Sequence, residues 1–158
     1  MKRRVLLGLL ALVPLGGCGW HLRGSTVDLS TAIQAIALED QGVDEGIYRA
    51  LTLRLQSAGV VVTPAAELRL VLAPTRWHIN RAQVTLTGDT AAELMSLKQP
   101  FSVWRAGARL LVDEVVVYRD HQIDTAALAA AEAQRRSLRA QMRREAAEQI
   151  LRQLSFLP

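Results

Sequence analysis

The chain has one cysteine in 158 residues, few aromatics at 4%, and no long apolar segment. A lone Cys18 excludes an intrachain disulfide, and with no second soft ligand beside it no zinc site forms. The scarcity of aromatics leaves the core to aliphatic packing. The longest apolar stretch, residues 5–15, would rise only about 16 Å as a helix. A hydrocarbon core is about 30 Å thick, so a permanent spanning helix is not expected. Enzyme constellations are also missing. His21, His78 and His121 stand at no metal-ligand spacing, and no phosphate-cradling glycine loop or nucleophile elbow is present. Asp113 and Glu114 are adjacent, but on a strand they point to opposite faces and cannot share a substrate. Ser25, Ser30 and Ser57 lack a triad context. No catalytic residue and no metal ligand is assigned.

Half the residues are hydrophobic and 22% are charged, the composition of an ordinary folded protein. The net charge of +4 hints at an anionic partner, but Lys2, Arg3 and Arg4 open the chain. Beyond those three, 16 bases face 15 acids. The excess belongs to the leader, so nucleic acid is not an expected partner.

That leader has the anatomy of an export signal: a basic start (KRR), an apolar run (VLLGLLALVPL) and the small residues Gly16 and Gly17. Leu15-Gly16-Gly17-Cys18 resembles a lipobox, the signature of bacterial lipoproteins. The resemblance implies a diacylglycerol on the Cys18 sulfur, cleavage after Gly17 and acylation of the new amine. Two or more acyl chains hold a protein at a membrane where one does not. Gly19 follows the cysteine where aspartate would favour the inner membrane, so the expected address is the periplasmic side of the outer membrane. Residues 1–17 thus read as a cleaved signal, 18–31 as a lipidated tether and 32–158 as one domain.

Within that domain, residues 33–39 read as a first strand. A helix starts near Asp44, with Ile47, Leu51, Leu55 and Ala58 at helical spacing and Gly59 as its stop. Val60 to Thr63 reads as an approach to the second strand. Leu68, Leu70 and Leu72 alternate as a strand does, and this strand continues past Pro74 to Leu86. Residues 91–105 and 108–119 follow as strands, with Pro74 and Pro100 as edge or bulge signals. From Asp124, an expected N-cap, a helix runs to about Leu154 with Leu138, Met142, Ala146 and Ile150 in one stripe. Glu132–Arg136, Arg144–Glu148 and Glu148–Arg152 stand at i, i+4. The expected class is α+β, a two-layer sandwich with a mixed four-stranded sheet packed by two helices in the order β-α-β-β-β-α. The other sheet face then has no lid, which points to a partner.

Arginines are the remaining signal. Arg135, Arg139 and Arg143 recur every four residues, a ridge of like charge that asks for an acidic counterpart. They are candidate partner contacts, and their joint reversal to Glu is expected to weaken association while sparing stability. Arg76 and Arg81 flank the second strand, and Arg105 and Arg109 flank the last strand turn. Guanidinium groups suit phosphate, which makes these four candidate lipid-phosphate contacts.

Cys18-Gly19-Trp20-His21-Leu22-Arg23-Gly24 is similar to the C-G-[FW]-H-L-R-G start of the LptE (RlpB) family. Gly88-Asp89-Thr90-Ala91 and Ala146-Ala147-Glu148-Gln149-Ile150 resemble two further stretches of that family. The resemblance implies a non-enzymatic outer-membrane lipoprotein without a cofactor beyond the lipid on Cys18. It implies a plug within the LptD β-barrel that assists barrel assembly and helps lipopolysaccharide reach the outer leaflet. Partners would be LptD, lipopolysaccharide and, through the acyl anchor, membrane lipid. Some members carry a basic residue at the tip of the hairpin before the third strand. Here that tip, Val84-Thr85-Leu86-Thr87-Gly88-Asp89, has none, and Arg81 is the nearest. The alternative is a free periplasmic lipid carrier.

Overall fold

The computed structural model describes residues 33–84, 90–124 and 126–157, without the side chains of 82–84, 90 and 91. The signal, Cys18, the tether and residues 85–89 of the hairpin tip lie outside the described residues. The elements are β1 (Ala35–Asp40), α1 (Glu45–Ser57), β2 (Val61–Val62), β3 (Leu68–Leu72), β4 (Arg76–Val84), β5 (Thr90–Arg105), β6 (Ala108–Gln122) and α2 (Leu128–Leu154). Two helices and a mixed sheet confirm the α+β class. Among the described residues the sheet has six strands where four were expected, for two reasons.

First, Val61-Val62 is a strand of its own. It pairs parallel with β1, Ala35 opposite Val61, and so completes the β1–α1–β2 crossover. Second, the long second strand breaks at Pro74. Its first half, β3, runs parallel to β1 and antiparallel to the C-terminal half of β5, with Leu72 opposite Phe101. Its second half, β4, pairs with the N-terminal half of β5, Arg76 opposite Lys98. β6 lines the other edge of β5 along almost its whole length.

Gln99 and Pro100 sit where β5 passes from β3 to β4. The Pro100 carbonyl accepts from the Ala73 amide at 3.2 Å. The side of Pro100 that lacks an N–H therefore faces the gap between β3 and β4, so no ladder bond is lost. Pro100 marks neither an edge nor a bulge; it lies in the strand with neighbours on both sides. Fully buried Gln99 closes the gap, donating to the carbonyls of Ala73 at 2.8 Å and Pro100 at 2.9 Å. Its Oε1 accepts from the Thr75 hydroxyl. A buried amide with its hydrogen bonds met costs little, whereas an unmet one costs about 1–3 kcal/mol.

One hydrophobic cluster lies between the helices and one sheet face. Leu68, Leu70, Leu72, Met95, Leu97, Phe101, Val103, Val115 and Val117 meet Ile47, Leu51 and Leu55 of α1. From α2 come Met142, Ala146, Ala147, Ile150, Leu151 and Leu154. Of the stripes foreseen from helical spacing, Ile47, Leu51 and Leu55 and Met142, Ala146 and Ile150 are buried while Ala58 and Leu138 are half-buried, and α1 ends as expected at Gly59 with φ +78°. The β5–β6 turn is Ala106-Gly107 with φ +48° and +83°, the positive pair that a two-residue hairpin turn requires.

The start of α2 differs from expectation. The helix begins at Leu128 after Ala127, with no side-chain cap. Asp124 instead accepts from the Ala126 amide at 2.9 Å, holding the turn before the helix. β6 also runs on to Gln122, so His121 is a strand residue and not a loop one.

Candidate functional site

Alternate strand positions point away from the helices and form a second sheet face. It carries Arg69 and Val71 of β3, His78 of β4, Ser96, Lys98 and Trp104 of β5, and Val112, Val116 and Tyr118 of β6. No described helix covers it. Val112 is 60% and Tyr118 54% exposed, large apolar or amphipathic surface left to water. Its charges are mostly paired within the face. Arg69 meets Glu39 at 3.0 Å, and Arg76 bridges over β5 to Glu114. Exposed pairs of this kind stabilise by about 0–1 kcal/mol, so they are free to exchange partners.

The four arginines flanking the strands do not converge. Arg76 lies on the open face. Arg81 is exposed on the opposite, helix side, cross-strand from Glu93. Arg105 closes β5 next to the hairpin turn, and exposed Arg109 stands 5.8 Å over the Trp104 ring.

The arginine ridge of α2 finds acids in its own chain. Arg135 Nη2 donates to both Glu93 oxygens at 2.9 and 3.1 Å, and Nη1 donates to Glu132 at 2.8 Å. Arg143 grips Asp44 with Nε at 2.7 Å and Nη2 at 3.0 Å. Arg139 and Arg143 each stand 5.5 Å from the Trp77 ring centroid, a cation–π arrangement. Arg139 has no carboxylate partner among the described residues. The ridge therefore pins α2 to the N-terminus of α1 and to β4 and β5. These contacts lead to the opposite expectation, that its reversal lowers stability. Glu132 pairs with Arg135 and not Arg136, and Glu148 with Arg54 of α1 at 2.6 Å and not with Arg144 or Arg152.

Asp44 is where these elements meet. Its Oδ1 caps α1 by accepting from the Gly46 amide at 2.8 Å, and its Oδ2 accepts from Trp77 Nε1 at 3.3 Å. Its own amide donates to Thr75 at 2.7 Å, which ties the cap to Gln99. Burial pushes the Asp44 carboxyl up. The hydrogen bonds from Arg143 and Gly46, the Arg143 charge and the Trp77 indole outweigh it and hold the group below its ordinary 3.8. Gly46 leaves room for the arginine: a Cβ there would stand 2.5 Å from Arg143 Cδ. Gly46→Ala should push Arg143 off Asp44 and lower stability by about 1–2 kcal/mol despite its better helix propensity, as read by urea unfolding.

A second polar cluster lies along the sheet from Asp44. His121 is fully buried, with Nε2 3.1 Å from the Ala131 carbonyl and Nδ1 3.6 Å from Glu93. Neither Asp44 nor Glu93 was singled out as a partner for the ridge. The i, i+4 spacing of the arginines demanded acids but could not say whose. Among the described residues no group of histidine, cysteine and carboxylate side chains could hold a metal ion.

Comparison with known proteins turns this scaffold into a family. The model of the LptE family, described as lipopolysaccharide-assembly, matches residues 26–154. The chain belongs to the LptE family. It is a lipopolysaccharide-assembly lipoprotein of a non-enzymatic class. The LPS-assembly lipoproteins LptE of Yersinia pestis (strain Pestoides F) and Yersinia pseudotuberculosis (serotype O:1b, strain IP 31758) are each 28% identical over 160 residues. In both cases the match spans 98% of this chain and 77% of the relative. Two solved structures share the fold. Rare lipoprotein B of Shewanella oneidensis has a TM-score of 0.69 at 21% identity, over 77% of this chain and 93% of that one. Lipoprotein B of Nitrosomonas europaea has a TM-score of 0.70 at 17% identity, over 78% and 83%. In this LptE-family chain the helix side is committed to its own core, and no described helix covers the sheet's other face.

Proposed function

We propose that this LptE-family lipoprotein is anchored through Cys18 on the periplasmic side of the outer membrane. Its folded body plugs the LptD β-barrel, assists the barrel's assembly and helps lipopolysaccharide reach the outer leaflet. The carrying observation is the open sheet face. The core is closed on the helix side, yet the second face keeps Tyr118, Val112, Val116 and Trp104 beside exchangeable ion pairs. A surface of mixed apolar and charged groups suits a wall of another protein better than it suits water. Lipopolysaccharide joins phosphate to acyl chains, so Arg76, Arg81, Arg105 and Arg109 are its candidate contacts. Among the ridge arginines, Arg139 is the one whose charge the described chain leaves unmatched. No cofactor is required beyond the lipid on Cys18, and nucleic acid is no partner.

The test is recovery of the barrel with tagged full-length chain from cell envelopes. His78, Ser96 and Tyr118 form one cross-strand row over three strands. Changing exposed His78 and Tyr118 together to Asp should leave the unfolding midpoint within about 0.5 kcal/mol of the parent. It should reduce LptD recovery about tenfold or more, the size of one lost contact cluster of ~1.4 kcal/mol. Unchanged recovery would count against this face as the barrel contact. A Cys18→Ala chain should leave the membrane in a high-salt wash; its retention would count against the anchor. A chain that binds lipid stoichiometrically and ignores LptD would favour the carrier.

A further inference from the structure

The register of β5 fixes which way each backbone group of β4 points. The Ala73 amide donates to the Pro100 carbonyl, so Pro100 turns its backbone towards the β3–β4 side. β5 keeps one register with β6 from Ala92, opposite Gln122, to Val103, opposite Leu111. The alternation is therefore unbroken, and Lys98, Ser96 and Leu94 also turn their backbone towards β4. They bond the residues opposite them, Arg76, His78 and Asn80. Trp77, Ile79 and Arg81, in between, direct N–H and C=O away from β5. Among the described residues no strand lies on that side, since β4 pairs with β5 only. The free edge begins at Arg76, because the Thr75 amide before it donates to the Gly42 carbonyl at 3.2 Å. Its regular part ends after Arg81, where the register shifts.

The side chains along this edge share one sign. β4 carries Arg76, His78 and Arg81 and no acid. Trp77 and Ile79 point to the helix side, opposite Leu97 and Met95. Ile79 is 37% exposed although Met95 beside it is fully buried. Arg139 stands over the Trp77 ring, and its Nε is shut from water yet bonds nothing among the described residues. Arg143, on the same ring, is already held by Asp44. A strand with unpaired backbone and an exposed isoleucine is a template for another strand. The free edge of β6 differs. The residues that direct their backbone outward there include Glu114 and Asp120, whose carboxylates repel an acidic arrival.

We propose that the free edge of β4 takes an extended acidic segment of a protein partner as a further strand. The segment sets a carboxylate opposite Trp77, where it meets Arg139. Two residues along, and so on the same face, it sets an apolar side chain opposite Ile79. Main-chain bonds to Trp77, Ile79 and Arg81 supply affinity, and the two side-chain contacts supply selectivity. The Arg81 guanidinium is left to the phosphate proposed above. The inference rests on the partner proposed above, LptD. A closed barrel spends its strand edges on itself, so the segment is one that leaves the wall. This contact is separate from the open face, because it uses backbone at the rim of the sheet and side chains on the helix side.

The test is residue-resolved amide exchange in the full-length chain, alone and in the complex with LptD recovered from cell envelopes. Alone, the Trp77, Ile79 and Arg81 amides should exchange about tenfold or more faster than those of His78 and Asn80. In the complex they should slow by about tenfold or more. A pair of variants isolates the backbone. Ile79→Thr keeps the outward amide, and Ile79→Pro removes it at an edge position where the domain's own ladder loses nothing. Both should unfold cooperatively in urea, and LptD recovery should fall about tenfold from the Thr to the Pro variant. Arg139→Gln should also lower recovery, by about tenfold. A recovered complex in which these amides stay fast overturns the proposal and leaves the open-face reading standing. Protection that appears in the isolated chain as its concentration rises assigns the edge to a second copy and also overturns it. A parent chain that recovers no LptD overturns the partner proposed above, and this proposal with it.

Discussion

Asp44→Ala is expected to remove about 3 kcal/mol of folding stability, an effect usually associated with emptying part of a core. The loss has two sources. An N-cap aspartate is worth about 1 kcal/mol to its helix. The charge-assisted hydrogen bonds from Arg143 are worth about 1.5–3 kcal/mol, and their loss strands a guanidinium whose side chain is only 32% exposed. The Trp77 indole loses its acceptor in the same step. The measurement is urea unfolding, where the midpoint should fall with little change in slope. A change below about 0.5 kcal/mol would mean that water replaces the carboxylate and that the cap holds nothing together.

The same residue sets an acid dependence. Unfolded, the Asp44 carboxyl titrates at its ordinary 3.8; folded, it is held lower by Arg143, Gly46 and Trp77 against the upward push of burial. A group whose folded value is depressed contributes its full stability above the unfolded value. That contribution is lost as pH falls through the folded value. The stability gap between the parent and Asp44→Asn should therefore be constant from neutrality to about pH 5 and narrow below about pH 4.

Much of this architecture was legible in local pattern. Leu68, Leu70 and Leu72 alternate because they line one face of a strand. Ile47, Leu51 and Leu55, and Met142, Ala146 and Ile150, recur at helical spacing because one side of each helix is buried. The LptE-family start around Cys18 was legible as a motif. What stayed hidden depended on contacts distant in sequence. Val61-Val62 is too short to announce itself, and it is a strand only because β1 offers an edge. Pro74 and Pro100 signalled trouble for a ladder. Local rules could not tell that Pro74 ends one strand while Pro100 sits opposite the resulting gap, patched by Gln99. Asp124 looked like a cap because it precedes a helical pattern, yet the helix starts four residues later and Asp124 holds a turn. For the site, the open face was foreseen from an excess of apolar strand positions over helices available to cover them. The ridge was misjudged because a helical wheel shows which arginines share a side. It does not show that Asp44 and Glu93, on other elements, occupy the space opposite.

The largest effect is expected from that ridge. Reversing Arg135, Arg139 and Arg143 to Glu would put new carboxylates beside Glu93, Glu132 and Asp44. The Arg135 and Arg143 side chains are 25% and 32% exposed, so water screens them only in part. Breaking each pair costs about 2 kcal/mol after allowance for that exposure, and like charge in place of opposite charge adds to it. Loss of the Trp77 stacking adds about 0.5–1 kcal/mol. The total, on the order of 5 kcal/mol, equals the whole stability of a weakly folded domain, so the variant should show no cooperative unfolding transition. Net charge alone is controlled for by Arg136 and Arg144, which lie on the same helix, are exposed and have no carboxylate partner among the described residues. Their reversal to Glu should change stability by about 0.5 kcal/mol or less. If the triple reversal instead unfolded like the parent while losing only LptD, the arginines would be facing the barrel and not Asp44 and Glu93. The decisive quantity is thus stability measured before association, because a chain that cannot fold also fails to bind. The control pair then isolates charge, since it alters the charge of the helix without touching the contacts that hold it to the sheet.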